Sequence, residues 1–359
     1  MRVLLLVLLA FSCSKQEKDN HSGPIAPDVS PTVQPSAAPE DEGVLDSSGP
    51  YAVIKTKKRT YYTGLLKDEL KANKAGRTYA ALDGCDNLPH SFDLRPLGVV
   101  SDVRDQGNCG SCWAFSMTGS LESAVRVAGG PFLNLSEQEL VSCDKEQYGC
   151  NGGLLNDFKY QIEKGQSLES DFPYTARDSK CKSGLKAAAK GISFQYVGAP
   201  NRAPTDQELK CAIYKYHTVP WITVSASGAW GSPPKSEKTA YNHCGHGQTN
   251  HAVNLVGWWE DSKGKTEWIM KNSWGEEWGD KGYMSINLGC DNFGEEVAFI
   301  QVEMPSPSPS PSPSPSMSPS PSPSMSPTPS PEDCKKLYEE LKMCIKTNKL
   351  SLDAILKGN

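Results

Sequence analysis

Between Gln106 and Phe115 the chain reads Gln-Gly-Asn-Cys-Gly-Ser-Cys-Trp-Ala-Phe, two cysteines behind a glycine and ahead of an apolar, aromatic run. That run continues through Met117, Leu121, Ala124, Val125 and Val127 to Gly129-Gly130, which predicts a helix opening close to Cys112. A thiol in a first helical turn faces unpaired backbone N–H groups and the positive end of the dipole, and both favour its thiolate. The thiolate is the nucleophilic form of cysteine, so covalent chemistry is expected at Cys112. Cys-x-x-Cys has two other readings. Half a zinc site would need a further ligand pair at matching spacing, and none follows within the usual distance. A dithiol redox pair would need a strand before it in a thioredoxin-like frame, where this chain has a glycine-rich loop.

Far downstream, Asn250-His251-Ala-Val-Asn-Leu-Val-Gly-Trp-Trp sets a histidine at the head of a strand-like apolar run. Lys271-Asn272-Ser-Trp-Gly-Glu-Glu-Trp-Gly-Asp-Lys-Gly-Tyr283 then holds an asparagine among tryptophans and glycines. Cysteine, histidine and asparagine in this order, each in its own rich signature, resemble the papain-like cysteine proteases over roughly residues 88 to 303. The resemblance implies acyl transfer: hydrolysis of a peptide bond through a thioester. Cys112 would be the nucleophile, and His251 would take its proton and later protonate the leaving amine. Asn272 would orient the imidazole under the cover of Trp274. Gln106, with the Cys112 backbone N–H, would donate to the oxyanion, and losing such a donor typically costs about 10²–10³ in rate. The competing reading is a catalytically inactive papain-fold surface binding module whose tail engages a partner.

The same resemblance outlines a cleft. Gly152 and Gly153, in Gly149-Cys150-Asn151-Gly152-Gly153, would form a bare backbone wall for an extended peptide. Leu155, Val224 or Ser225, Asn250 and Ala252 would line the pocket for the residue two before the scissile bond, beside Trp274. That mix is apolar with no charge at its base, so an aliphatic or aromatic side chain is expected there. The stretch from Pro220 to His251 is of ordinary length for the family, which favours an endopeptidase. His243 and His246 within it read as polar loop residues.

With 359 residues, 37% hydrophobic and 22% charged, the chain has room for two modest domains plus tails. A net charge of −5 gives no case for nucleic acid. Nothing in the chemistry asks for a cofactor or a metal. Twelve cysteines suggest a disulfide-permissive compartment. The resemblance pairs Cys109 with Cys150, Cys143 with Cys181 and Cys244 with Cys290, leaves Cys112 free, and leaves Cys85 and Cys211 over, able to bridge.

Export is expected from the first residues. Residues 1–12 read as a signal peptide, since the apolar stretch Val3–Phe11 is too short for the about 20 residues that span a bilayer. Leu9-Ala-Phe-Ser12-Cys13 resembles a bacterial lipobox, in which Cys13 would carry lipid and anchor the chain, with the outer membrane as destination. Simple secretion is the other outcome, and in a eukaryote the lysosome. Residues 13–50 read as a disordered tether and 51–87 as a short pro-like segment, with a short helix expected over Leu65–Asn73 and no full inhibitory propeptide signature.

The catalytic domain is expected over 88–303 with an α+β, two-lobe fold: a helical N-terminal lobe, a β-barrel-like C-terminal lobe and the cleft between them. Ser136-Glu-Gln-Glu139 reads as a capping box, and Gly153–Lys164 as a further helix. Strands are expected at Val219–Val224, Ala252–Trp259, Glu267–Lys271, Tyr283–Leu288 and Glu296–Val302. Residues 304–331 form a Ser-Pro linker, a polyproline rod on the order of 80 Å long. Residues 332–359 read as a small helical module for docking or dimerisation. Its Cys334 and Cys344 lie about 15 Å apart along one helix, too far to pair within it.

Overall fold

A computed structural model of the chain describes residues 43–49, 51–66, 77–154, 158–200, 202–245 and 247–303. The signal peptide, Cys13, the tether up to residue 42, the Ser-Pro linker and the C-terminal module with Cys334 and Cys344 lie outside them, as do Leu155 and His246. All described residues belong to one compact unit, Ser36–Ser308.

Four helices and eleven strands make up the regular structure of these residues. Helix α1, Cys112–Val127, starts on the cysteine itself and is buried from Cys112 to Val125. It stops where the sequence says it should. Gly129 takes φ 84° and Gly130 N donates to Val125 O at 2.9 Å, the left-handed glycine cap that satisfies orphan carbonyls. Helix α2 (Glu137–Cys143) is capped by Ser136 Oγ, which accepts from Glu139 N at 3.0 Å. Only half of the expected capping box forms. Ser136 N donates to Ser167 O, and the Glu139 carboxylate instead accepts from Ser167 N and Tyr160 OH. Helix α3 is short, Lys159–Glu163. Helix α4 (Asp206–Tyr216) opens on a complete capping box between Thr205 and Glu208.

Strands β1 (Val44–Asp46), β2 (Val53–Lys55) and β3 (Thr60–Tyr62) form a small antiparallel sheet of their own. The other eight build one sheet: β4 (Ser91–Asp93), β5 (Ser193–Tyr196), β6 (Trp221–Val224), β7 (Ala240–Tyr241), β8 (His251–Glu260), β9 (Thr266–Lys271), β10 (Tyr283–Ile286) and β11 (Val297–Gln301). Its order is β5-β11-β6-β8-β9-β10-β7, with β4 on β8, so the sheet is open where a barrel-like lobe was expected. Strand β7, two residues long and parallel to β10, ends it without reaching back to β5.

Two apolar cores follow. One gathers β6, β8, β9 and β10 with the tryptophans Trp230, Trp258, Trp268, Trp274 and Trp278. The other gathers α1 and α2 with Leu65, Ala252, Trp221, Ala298 and Ile300. The division is not a clean one of helices against strands, because β11 and β6 send side chains into the helical core. Asn254 on β8 locks the two together: its Nδ2 donates to Ser116 O of α1 at 2.8 Å. Gly119 makes that approach feasible, since a Cβ there would stand 2.4 Å from Asn254 Oδ1. The start of α1 and the start of β8 are thereby held face to face.

Four disulfides brace the described residues: Cys109–Cys150, Cys143–Cys181, Cys244–Cys290 and Cys85–Cys211. The fourth ties the segment before the catalytic domain to α4. Cys112 alone among the described cysteines is free. Since Cys109 is bonded to Cys150, the Cys-x-x-Cys pair is neither half a zinc site nor a dithiol.

Candidate active site

The loop before α1 is shaped by side chains that return to it. Gln106 is fully buried; its Nε2 donates to Cys109 O at 2.9 Å and its Oε1 accepts from Ser273 Oγ at 2.7 Å. An amide nitrogen has two hydrogens, and Cys109 takes one. Tyr174 OH donates to Gln106 O at 2.8 Å and pairs with Ser111 Oγ at 2.6 Å, closing the loop from the other side. Ser273, Tyr174 and Ser111 had no sequence signal of their own; Ser273 could have been suspected only as the neighbour of Asn272.

His251 opens β8 and is fully buried. Its Nε2 lies 2.9 Å from Asn272 Oδ1, which accepts, so the hydrogen is assigned to Nε2 and Nδ1 keeps a lone pair. Nδ1 has no hydrogen-bond partner here. Trp274 stacks on the ring, centroids 4.6 Å apart at 27°, and Trp230 meets it edge-on at 6.1 Å. Asn272 Oδ1 also accepts from Ser273 N at 2.8 Å. Behind it, Lys271 is buried and donates to Ser101 O and Oγ, both at 3.0 Å; burial pushes its amine down to about 8.

The cleft is occupied by the chain's own residues. Beyond β3 the strap Thr63–Leu66 enters it as extended backbone. Gly64 N and Leu65 N donate to Asn250 O at 3.1 and 2.9 Å, Leu66 N to Gly153 O at 2.9 Å, and Gly153 N to Gly64 O at 2.8 Å. Leu65 is thus paired in parallel with Gly153, and its side chain is buried in one cluster with Cys112, Trp113 and Ala252. A Cβ on Gly64 would stand 2.1 Å from Gly110 O, so only glycine lets the strap lie this close to the loop of Cys112. Further out, Trp274 Nε1 donates to Tyr62 O at 2.8 Å, Tyr61 packs on Trp274 at 5.0 Å, and Arg59 bonds both Asp105 carboxylate oxygens at 2.6 Å. Leu65 is therefore strap, not the start of a helix.

The strap changes the electrostatics expected at a helix start. Cys112 does open α1, yet burial pushes its thiol up to about 12, against backbone hydrogen bonds from Ala252, Trp113, Cys112 and Leu65 that pull it down. Burial likewise pushes His251 down to about 4, the bond to Asn272 opposing. The pair is neutral in this form. The thiolate expected from the helix start is not what this form shows, because desolvation by burial outweighs the helix dipole.

The pocket residues separate. Ala252 packs beside Leu65, and Asn250 presents its carbonyl to the strap while its amide closes on Ala226. Gly153 is the bonded wall. Val224 points into the sheet core instead, and Ser225 is buried with its N–H on Asp291 O at 2.7 Å. Among the described residues no cluster of His, Cys, Asp or Glu could hold a metal ion, and no helix is long and apolar enough to cross a membrane.

Comparison with known proteins bears on the same residues. The model of the papain family of cysteine proteases matches residues 88–300. Cysteine proteinase 15A of Pisum sativum is 40% identical over 221 residues, which are 56% of this chain and 59% of that protein. Cathepsin K of Mus musculus is 37% identical over 210 residues, 57% of this chain and 61% of its own. The chain thus spans about six-tenths of the length of these relatives. The solved structure of bromelain from Ananas comosus with the E64 inhibitor superposes with a TM-score of 0.54 at 32% identity, covering 60% of this chain and all of that one (100%). The recombinant stem bromelain precursor gives a TM-score of 0.57 at 26% identity, covering 68% of this chain and 84% of its own. With its helical and sheet cores, its ordered Cys112, His251 and Asn272, and this match over more than half its length, the chain belongs to the papain family of cysteine proteases.

Proposed function

We propose that this chain is a thiol-dependent endopeptidase, held latent by its own residues 43–66. Cys112 attacks the scissile carbonyl, His251 Nδ1 takes the thiol proton and returns it to the leaving amine, and water then hydrolyses the thioester. Asn272 holds the imidazole by Nε2, Trp274 shields that bond, and the remaining hydrogen on Gln106 Nε2 joins the Cys112 N–H at the oxyanion. The observation that carries the reading is the 2.9 Å bond from His251 to Asn272, which leaves the unpartnered Nδ1 for Cys112, the one free cysteine among the described residues.

Latency rests on the strap. It runs parallel to Gly153 and sets the Leu65 N–H toward the Cys112 sulfur, filling the place a substrate would take. The larger share of this chain covered by the bromelain precursor, 68% against 60% for the inhibitor-bound form, supports a short pro-like role for the segment before residue 88. Leu65 also stands in for a substrate side chain and supports an aliphatic or aromatic preference in the pocket of Ala252 and Asn250. Peptide-library profiling should show that preference; a dominant preference for arginine, for which Glu295 bonded to Thr249 would be the partner, would overturn it. The four disulfides support export.

The test is labelling by E64 before and after limited cleavage of the strap, beside Cys112→Ala. One label per chain after cleavage, little before it and none on the variant is expected. A folded, strap-cleaved protein that takes no label would defeat the enzyme and leave the inactive binding module.

A further inference from the structure

Given the peptidase reading, His251 needs a fixed ring angle, and its hydrogen bonds do not supply it. One bond to Asn272 leaves the ring free to rotate about that contact; the rest of its orientation comes from the two indoles, Trp274 and Trp230. Trp274 changes its surroundings when the strap leaves, because its Nε1 donates to Tyr62 O. The indole N–H and the carbonyl of Trp230 bond outside residues 43–66, although its turn, Gly228–Gly231, accepts from Gly43 N at 2.9 Å through Gly228 O. Its Nε1 donates to Asp291 Oδ2 at 2.8 Å, and its carbonyl accepts from Trp278 Nε1 at 2.8 Å.

Asp291 is 1% exposed. Its remaining partners are Tyr241 OH, 3.0 Å from Oδ2, and Gly245 N, which bonds Oδ1. Burying a carboxylate among neutral donors is costly unless each oxygen is satisfied, and here both are. The residue sits at φ 49°, a left-handed conformation that aspartate and asparagine tolerate better than other side chains. It follows Cys290, whose disulfide to Cys244 brings Gly245 within reach. A carboxylate in such a place does more than close a loop, because Tyr241 and Gly245 alone could be met by a neutral side chain. The indole it holds is the one that walls the imidazole.

We infer that Asp291 is a positioning residue for His251, acting through Trp230. It holds the indole in one rotamer, and the indole edge fixes the imidazole plane so that Nδ1 stays aimed at Cys112 once the cleft is open. The substrate pocket is not involved, so the effect falls on turnover and not on substrate affinity.

The test uses the full chain after strap cleavage, with peptide hydrolysis measured for wild type, Asp291→Ala, Trp230→Phe and the double variant. Trp230→Phe keeps an aromatic ring but removes the N–H together with part of the buried indole, so Asp291→Ala, which leaves the indole whole, is the variant that isolates the bond. Each single variant should lose about 10–10² in kcat with KM within about twofold, since small misplacements of a reacting group cost that much. The double variant should be little worse than either single one, because both break the same link. Additive losses, or an unchanged kcat in Trp230→Phe, would overturn the inference. Asp291→Asn keeps one acceptor for the indole and should recover part of the turnover; it serves if Asp291→Ala fails to fold. Wild type without activity would instead be a failure of the peptidase reading.

Discussion

The two ends of the strap are held by different physics. At its cleft end, Gly64–Leu66 is buried, bonded backbone to backbone on Asn250 and Gly153, with Leu65 sealed against Cys112. At its outer end, β1 to β3 bury Ile54 in the sheet core but otherwise lie half in solvent, with Lys55 paired to Asp46 at 2.7 Å and Arg59 to Asp105 at 2.6 Å, all at least a quarter exposed. Backbone pairing and apolar burial hold in salt and over a wide pH range. Exposed ion pairs contribute little and are screened. If the proposed latency holds, the comparison places its main hold in the cleft.

The sharpest way to break that comparison is Leu65→Ala. Truncating a buried leucine typically costs about 2–5 kcal/mol, so strap opening should rise by roughly 30-fold or more. The measurement is the E64 labelling rate of the uncleaved chain; an unchanged rate would move the latch to the hairpin.

Acid should act next, and through His251. Its ordinary value is 6.5 and burial lowers it to about 4, so the unfolded or opened chain binds a proton that the closed form refuses. Stability is therefore complete above about 6.5 and is lost as the pH falls toward 4, by on the order of 3 kcal/mol. Cys112, raised from 9.0 to about 12, works in the opposite limb: opening releases its proton above about 9. Closure is thus firmest between these limits. Thermal unfolding of the uncleaved chain from pH 7 to 4.5 should show a steeper loss than in His251→Gln; equal slopes would remove His251 from the linkage.

The smallest effect belongs to the outer end. Lys55→Ala removes an exposed pair worth about 0–1 kcal/mol, so the labelling rate should change less than about fivefold, and less still at 0.5 M salt. A loss of latency comparable with Leu65→Ala would invert the comparison.

Some of this was legible residue by residue. Helix α1 and its stop at Gly129 were read from an apolar 3.6 period and a glycine pair, and all five expected strands agree with β6, β8, β9, β10 and β11 to within two residues at each end. Helix α4 was overlooked although Thr205-x-x-Glu208 announces it, because the second half was read as strands throughout. Strands β1 to β3 are three residues each, shorter than any periodicity can register. Gln106 was read as an oxyanion donor from the family resemblance, but Ser273 and Tyr174, which hold it, lie far away in sequence. Trp230, in a Gly-Ala-Trp-Gly loop, had no period to mark it, and Asp291 reads as one more polar residue until its partners are placed around it.

By itself the sequence determined what could react and where the local chain turns: a thiol at a helix start, a histidine at a strand head, an asparagine among tryptophans, glycines where the chain turns. These are properties of residue type and short-range spacing, fixed by sterics and propensity. Only the tertiary structure decided the charge state of the pair, the occupant of the cleft and the supports of Gln106 and His251. Each of those depends on burial and on contacts between distant segments, and desolvation has no counterpart in a linear string. Cys112 is the plainest case: its place at the start of α1 argues for a thiolate, and its burial in the folded chain pushes the thiol up to about 12.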